Sequence, residues 1–522
     1  MSGQELETAR RLIRSARGMI DPRSRWAGEL ADCAARLDQP LRVALAGTLK
    51  SGKSTLLNAL IGDEIALTDA TECTRVVTWF RRAPAPRVDL TVTDGRQMRL
   101  PVQRNNGQLT LDLGVPADRV RQLMVSWPSS LLDEFTVIDT PGTSSNSHDV
   151  SERTLALLLP EDGPCAADAV VYLMRDLRDA DVQLLAGLQD RMATGGGPLG
   201  VLGVLSRADE IDGGQGEPLA AARRFSAELA EAPALRGLQQ SFIPVSGLLA
   251  IRGQTLRQAD FLTLRALATA PPSVLQSTLV AVSRFTATDS ELPVPAAERR
   301  RLAEAFGLFG IRLAVSLIRS GIDDAPALAA ELVRRSGLDE LRRTLHLHFG
   351  ERNEQLKAHS ALSTLARILA RTPSPAAAAL SREVARCLAD THAFTELRLL
   401  SSIPTTRLDA ADRARVTRAL GGEGIAPHRR LGLSPDTPYA DCRTVAQRAV
   451  RYWRAQLDSP LLDPLTAATC RAAARSCEAI MAQDPTVSPV GGHRGEPPRP
   501  RRAATPNQYG ERNALRADHI RV

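Results

Sequence analysis

The chain has 522 residues, too many for one hydrophobic core, so two or three domains are expected. Hydrophobic residues make up 43% and aromatics only 3%; the net charge of +7 permits contact with anionic lipid or nucleic acid, though a compositional preference for arginine over lysine explains it equally well. The numbers argue against a bilayer-spanning protein, since no apolar run reaches the ~20 residues needed, and against a disulfide framework, since the seven cysteines are unclustered and read as reduced thiols of a cytosol.

In chain order, the N-terminus MSGQELETARR is charged where a signal peptide is apolar. Residues 4 to 37 read as two helices broken at Asp21-Pro22, with Leu6, Ala9, Leu12, Ile13, Ala16 and Ile20 on one stripe. The apolar run Leu41 to Ala46 then reads as a buried strand leading into Gly47-Thr48-Leu49-Lys50-Ser51-Gly52-Lys53-Ser54-Thr55. This matches the phosphate-binding pattern GxxxxGK[ST] in its strand–loop–helix setting, because TLLNALIG carries apolar residues at helical spacing. Gly47 and Gly52 let the backbone wrap a β-phosphate, so the N–H groups of the loop from Lys50 through Thr55, Ser51 included, face the anion. Lys53 reaches the β- and γ-phosphates, and the Ser54 hydroxyl ligates Mg²⁺. A nucleotide is the expected ligand.

Residues 68 to 75 stand where a first switch belongs and offer three threonines for Mg²⁺ and the γ-phosphate. Thr74, just ahead of the strand-like Val76 to Phe80, is the first choice and Thr71 the second. An antiparallel hairpin follows, Arg87–Thr93 and Gln97–Val102 around Asp94-Gly95. Phe135 to Ile138 is a strand ending in Asp139-Thr140-Pro141-Gly142. There Asp139 holds Mg²⁺ through water, and the Gly142 amide approaches the γ-phosphate. Val201 to Leu205 ends in Ser206-Arg207-Ala208-Asp209, in the place of the GTPase motif [NT]KxD. Asp209 accepts from guanine N1–H and N2–H, which adenine lacks, and a buried acceptor left unpaired supports discrimination on the order of 10⁴. Arg207 lays a long cationic stem over the base. Phe242 to Val245 runs into Ser246-Gly247, the loop that closes over guanine. In this order, each after its own strand, the motifs name GTP.

Alternating strands and helices imply a mostly parallel sheet. After Ser246 comes a helical insertion, about 251–335, whose FGLFGIRLAVSLI is too short to span a membrane and reads as a buried helix. Ser336-Gly337-Leu338 begins a closing helix. Little interrupts it before Arg371, which at 1.5 Å per residue gives a rod on the order of 50 Å. His346 and His348, two apart on that helix, face different ways and do not read as metal ligands. Further helices are expected at about Pro375–Leu400, Ala410–Leu420, Asp441–Leu457 and Pro464–Met481. The connector Gly421 to Ala440 holds His428-Arg429-Arg430-Leu431-Gly432-Leu433, readable as a headgroup-touching tip or as a solvated loop with its leucines inward. The Pro-, Gly- and Arg-rich stretch 484–522 is expected to be a disordered basic tail.

The sequence GTLKSGKSTLLNALIG, the threonine switch followed by Arg75, the DTPG motif and the long helical remainder resemble the bacterial dynamin-like GTPases over about residues 5 to 482. The expected fold is an α/β P-loop GTPase domain at 40–349, carrying the insertion, plus an elongated all-α helical bundle or stalk at 350–483. The resemblance implies that the N-terminal helices, 1–39, join that bundle. It also implies GTPase domains that pair, as a homodimer or with a second dynamin-like protein. Action would be peripheral, on an anionic membrane surface at the cytoplasmic face, under cell-envelope stress.

The chain departs from related enzymes at the chemistry. Thr143, Ser144 and Ser145 follow Gly142, so the water-positioning glutamine of Ras-like enzymes is missing. Dynamins carry glutamine and serine where this chain has Leu49 and Lys50, and that serine helps hold a monovalent cation, so use of such a cation stays open here. Lys50 stands where guanylate-binding relatives carry an arginine finger. It either supplies charge in cis when two domains pair or only aids affinity; with Lys53 and Thr74 it forms the catalytic set. Three readings remain: a membrane-linked mechanoenzyme, a GTP-binding partner subunit that does not hydrolyse, and a switch-type or RNA-linked regulatory GTPase. The last lacks any recognisable RNA-binding module or aromatic–basic interleaving.

Overall fold

The computed structural model describes residues 2–48, 50–66, 76–105, 108–141, 157–158, 160, 163, 165–194, 197–214, 218–231, 242–459 and 462–482. Among these, the strands are β1 (Leu41–Gly47), β2 (Thr78–Arg82), β3 (Arg87–Val92), β4 (Gln97–Leu100), β5 (Gln103–Asn105) and β6 (Gln108–Thr110). They continue with β7 (Val120–Trp127), β8 (Phe135–Asp139), β9 (Ala169–Met174), β10 (Gly200–Ser206) and β11 (Phe242–Val245).

Nine of them form one sheet in the order β11-β10-β9-β1-β8-β2-β7-β3-β4. From β11 to β8 every pairing is parallel. β2 lies antiparallel to β8 and parallel to β7, and the β3–β4 hairpin ends the sheet. The period of two along each strand explains why the central strands read as unbroken apolar runs. Leu41, Val43 and Leu45 of β1 and Ala169, Val171 and Leu173 of β9 face one core, which includes Leu56, Leu60 and Leu341. Ala44, Ala46, Val170, Tyr172 and Met174 face the other, against Leu184, Leu188 and Leu205. Both faces are covered, so no polar alternation survives. The register sets Leu45 beside Asp139 and Gly47 beside Leu173, which levels the carboxyl ends of β8, β1 and β9. Ligands of open α/β sheets bind beyond such ends.

The two N-terminal helices, Ser2–Arg17 and Arg25–Arg36, lay Leu12, Ile13 and Leu30 against Leu362, Leu365 and Ile368 of helix Asn353–Arg371. Arg367 donates to Glu29 at 2.6 Å across that contact. Between β11 and the closing helix Leu338–Leu345, six helices surround a separate core of Phe261, Phe285, Leu302, Ile311 and Leu328. The apolar stretch singled out in the sequence lies in Ala296–Arg319, which bends at Gly307, where the backbone turns to φ 62 and ψ 170. Both ends of this helical insertion meet beside β11, because the Ser246 N–H donates to Ser336 O at 2.8 Å. Gly337, at φ 81, is the only residue type that fits there: a Cβ would lie 2.2 Å from Pro244 O.

The continuous rod expected after Gly337 is corrected. Helix Leu338–Leu345 passes into a π-helical turn, His346–Gly350, and Arg352 leaves helical geometry at φ -99 and ψ 9. Asn353–Arg371 then restarts with 19 residues, ~28 Å at 1.5 Å per residue. The cause is a guanidinium drawn inward: Arg352 donates to Leu347 O at 2.9 Å and to Leu420 O at 2.8 Å. The run expected over Pro375–Leu400 likewise splits into Pro375–Leu388 and His392–Ser402. In the connector, Pro427–Leu431 is a short helix whose Arg430 turns inward to Glu396, at 2.5 and 2.9 Å, which removes it as a headgroup contact. Cys470 and Cys477 sit in the C-terminal core, and burial pushes both thiols up to about 11, so they behave as packing residues. Among the described residues, no helix is long and apolar enough to cross a membrane, and no group of three or more His, Cys, Asp or Glu side chains is placed to hold a metal ion. Stretch 484–522 lies outside the described residues.

Candidate nucleotide site

The phosphate loop leaves β1 at Gly47, whose φ of 149 brings it so close to β9 that a Cβ would lie 2.2 Å from Leu173 O. Gly52, at φ 87, begins helix Lys53–Ile61, so the helix N-terminus opens onto the loop. Thr48 and Ser51 are buried, whereas Lys50 is exposed and holds a left-handed backbone, φ 62. Leu49 lies outside the described residues.

Beneath the loop is an unusual pair of charges. The Lys53 ammonium is buried and donates to Gly47 O at 2.9 Å and Thr48 O at 3.1 Å. Burial pulls it down to about 8, with Asp139 acting in the opposite sense. Burial pushes Asp139 up to about 6, against the pull of Lys53 and of a hydrogen bond from Ser54, whose Oγ is 3.5 Å away. The other Asp139 oxygen is buried without a hydrogen-bond partner, as is Ser51 Oγ. A hydroxyl and a carboxylate with an orphaned oxygen form a hard-oxygen donor set at a helix N-terminus, which fits Mg²⁺ bound with a phosphate. Thr140 fixes this strand end by donating to Leu45 O at 2.8 Å. Thr71, Thr74 and Gly142, expected on the γ-phosphate side, lie outside the described residues.

A cavity of about 150 Å³ adjoins the loop and is lined by Thr55, Ser206, Arg207, Asp209, Glu210 and Gly247, among others. Burial raises the affinity of the Asp209 carboxylate for a proton, while a hydrogen bond from Ser246 opposes this. The Ser206 hydroxyl donates to Met174 O at 3.0 Å. Arg207 adopts φ 54 and donates to Glu210 at 2.8 Å. Ser246 caps helix Gly247–Gln254 by accepting from the Leu249 N–H at 3.2 Å. Gly247 presses against the P-loop helix, where a Cβ would lie 3.3 Å from Leu56 N.

The structure therefore gathers Gly47, Ser51, Gly52, Lys53, Ser54 and Asp139 in one cluster, and Thr55, Ser206, Arg207, Asp209, Ser246 and Gly247 in an adjacent one. Lys50 stands at their solvent edge. Sequence reasoning missed Glu210 and Leu248, which also line the cavity. Glu210 stands three residues after Arg207, and that spacing was the available signal.

The family model described as "Dynamin family" matches residues 43–207. The chain is 46% identical over 457 residues to the isoniazid-induced protein IniC of Mycobacterium tuberculosis, covering 86% of this chain and 91% of that protein. It is 32% identical over 116 residues to a bacterial dynamin-like protein of Nostoc punctiforme, covering 19% of this chain and 16% of that one. A solved structure of an oligomerised bacterial dynamin pair overlays 92% of this chain and 76% of its own at 12% identity, with a TM-score of 0.29, too loose to carry detail. With most of its length matched to IniC and its P-loop region matched to the dynamin family, the chain belongs to the dynamin-like proteins, as a relative of IniC.

Proposed function

We propose that this protein binds GTP with Mg²⁺ and hydrolyses it, coupling the pairing of its GTPase domains to work at an anionic membrane surface. One observation carries the nucleotide reading: a phosphate loop with two orphaned polar atoms stands next to a cavity walled by Asp209, at the carboxyl ends of β1, β8 and β10. Ser54 and, through water, Asp139 would hold Mg²⁺, with Thr74 completing the set. The ion would neutralise charge on the β- and γ-oxygens. Lys53 exchanges the loop's own carbonyls for phosphate oxygens, which favour its charged form. Asp209 accepts from guanine, and Arg207 covers the ring.

Hydrolysis needs a further charge at the γ-phosphate. Lys50 is the candidate, because its exposed left-handed position offers the ammonium outward, where a second domain could press it onto the phosphate. An arginine finger contributes about 10³–10⁵ in rate, and a lysine point charge less. The kinship with IniC and the dynamin family supports extending the proposal to pairing with an identical chain or a second dynamin-like protein, peripheral membrane work at the cytoplasmic face and a role under envelope stress.

The test is GTP turnover against protein concentration, with and without anionic liposomes, in potassium and in sodium. Specific activity is expected to rise with concentration and again with liposomes, and Lys50→Ala to lose the rise while keeping nucleotide binding. Indifference to potassium would assign the charge to Lys50 rather than to a bound monovalent cation. A second reading draws on Lys50 in the loop and on Thr143 where a glutamine is usual: the chain is the GTP-binding subunit of a hetero-oligomer. Flat, slow turnover under every condition selects that reading and ends the autonomous one.

A further inference from the structure

We propose that Glu210 and Arg175 form a latch that positions Arg207 over the base and so sets how long a guanine nucleotide stays bound. This rests on the guanine reading above and adds the residues that hold its lid.

Arg207 is one of two described non-glycine residues with positive φ, at 54. Side chains hold such a backbone only where their surroundings over-determine it. Two successive residues at the end of β9 supply the restraint. Met174 offers its carbonyl to the Ser206 hydroxyl at 3.0 Å, immediately before the strained residue. Arg175 places Nη2 3.3 Å from one oxygen of Glu210, whose other oxygen accepts from Arg207 Nη1 at 2.8 Å. The Glu210 N–H also donates to Arg207 O at 2.9 Å, closing the turn that carries Asp209 between them. A carboxylate that holds the guanidinium through an edge nitrogen leaves its planar face available to a ring, which an ammonium cannot offer. Arg207 and Glu210 both line the cavity, so the ion pair belongs to its wall.

The side chains of Arg175, Arg207 and Glu210 are 49%, 37% and 42% exposed, so the latch is soft and screened by salt. That gives it a signature that a purely architectural contact lacks. The full chain is loaded with fluorescent GDP and Mg²⁺ and chased with unlabelled GDP, at low and high salt. At low salt, Glu210→Gln, Arg175→Met and Arg207→Met are each expected to release GDP about three- to fivefold faster. The double variant Glu210→Gln with Arg175→Met should be no faster than Glu210→Gln alone. At high salt the wild type should speed up to the rate of Glu210→Gln. Equal release from wild type and Glu210→Gln at low salt overturns the latch, as does additivity of the double variant. Failure of the underlying reading looks different: the wild type binds no GDP, or Asp209→Asn binds it equally well.

Discussion

Asp139 and Lys53 are each costly alone and useful together. Burial drives the carboxylate up to about 6 and the ammonium down to about 8, so between these values the free protein holds both charges against their desolvation. On the proposed reading, Mg²⁺ would lower the proton affinity of Asp139, and phosphate would raise that of Lys53. The share of nucleotide affinity due to Asp139 is therefore complete above about 6 and lost as pH falls through it. The share due to Lys53 is complete below about 8 and lost as pH rises through it. A titration of fluorescent GDP with Mg²⁺ from acid to alkaline pH should give a bell with limbs near those values. Asp139→Asn should keep the alkaline limb of Lys53 and reduce the acid limb to what the nucleotide's own phosphate contributes, and a flat profile would contradict the assignment. The motif identified both residues. Their perturbation depends on the burial of β8 and of the loop, which no local pattern encodes.

At the scale of elements, two glycines hold the site's walls together. Gly47 joins the phosphate loop to β9, and Gly337 joins the end of the helical insertion to β11; each would set a Cβ 2.2 Å from a neighbouring carbonyl oxygen. Gly47→Ala is expected to cost about 1–3 kcal/mol by overpacking and to abolish GDP binding, as thermal unfolding and the same titration would show. Gly337→Ala should cost a similar amount but weaken GDP binding only partly, since it displaces the Ser246 loop rather than the phosphate loop. Equal loss of binding in both would mean that Gly337 acts through global unfolding. The strands, the hairpin and the P-loop helix were legible because apolar runs and turn residues are local signals. Helix ends after Gly337 were not: the break at Arg352 is made by Leu420 O, 68 residues away.

At the scale of the whole molecule, the closing segment of the GTPase domain is pinned to the C-terminal helices by one buried carboxylate. Glu396, 2% exposed, accepts from Arg430 at 2.5 and 2.9 Å, from Ser476 at 2.6 Å and from Arg352 at 3.4 Å. Burial works against its charge, yet hydrogen bonds from His392 and Arg430 hold it well below the usual carboxylate range. Its contribution to stability is thus complete above the ordinary glutamate pKa and is lost as pH falls. Glu396→Ala takes the counter-charge from the buried Arg352 and the partly buried Arg430 and should cost about 3–5 kcal/mol in denaturant unfolding; a loss below about 1 kcal/mol would show that the hub is not structural. By itself the sequence determined the phosphate loop, the sheet and the helical remainder, because phosphate binding, strand burial and helical periodicity each impose a short-range pattern. Only the tertiary structure decided where the long helix breaks, that Arg430 faces inward, and that Glu210 joins the wall of the cavity beside the phosphate loop. Those outcomes depend on which charges and carbonyls meet across distant segments, and such meetings leave no periodicity to read.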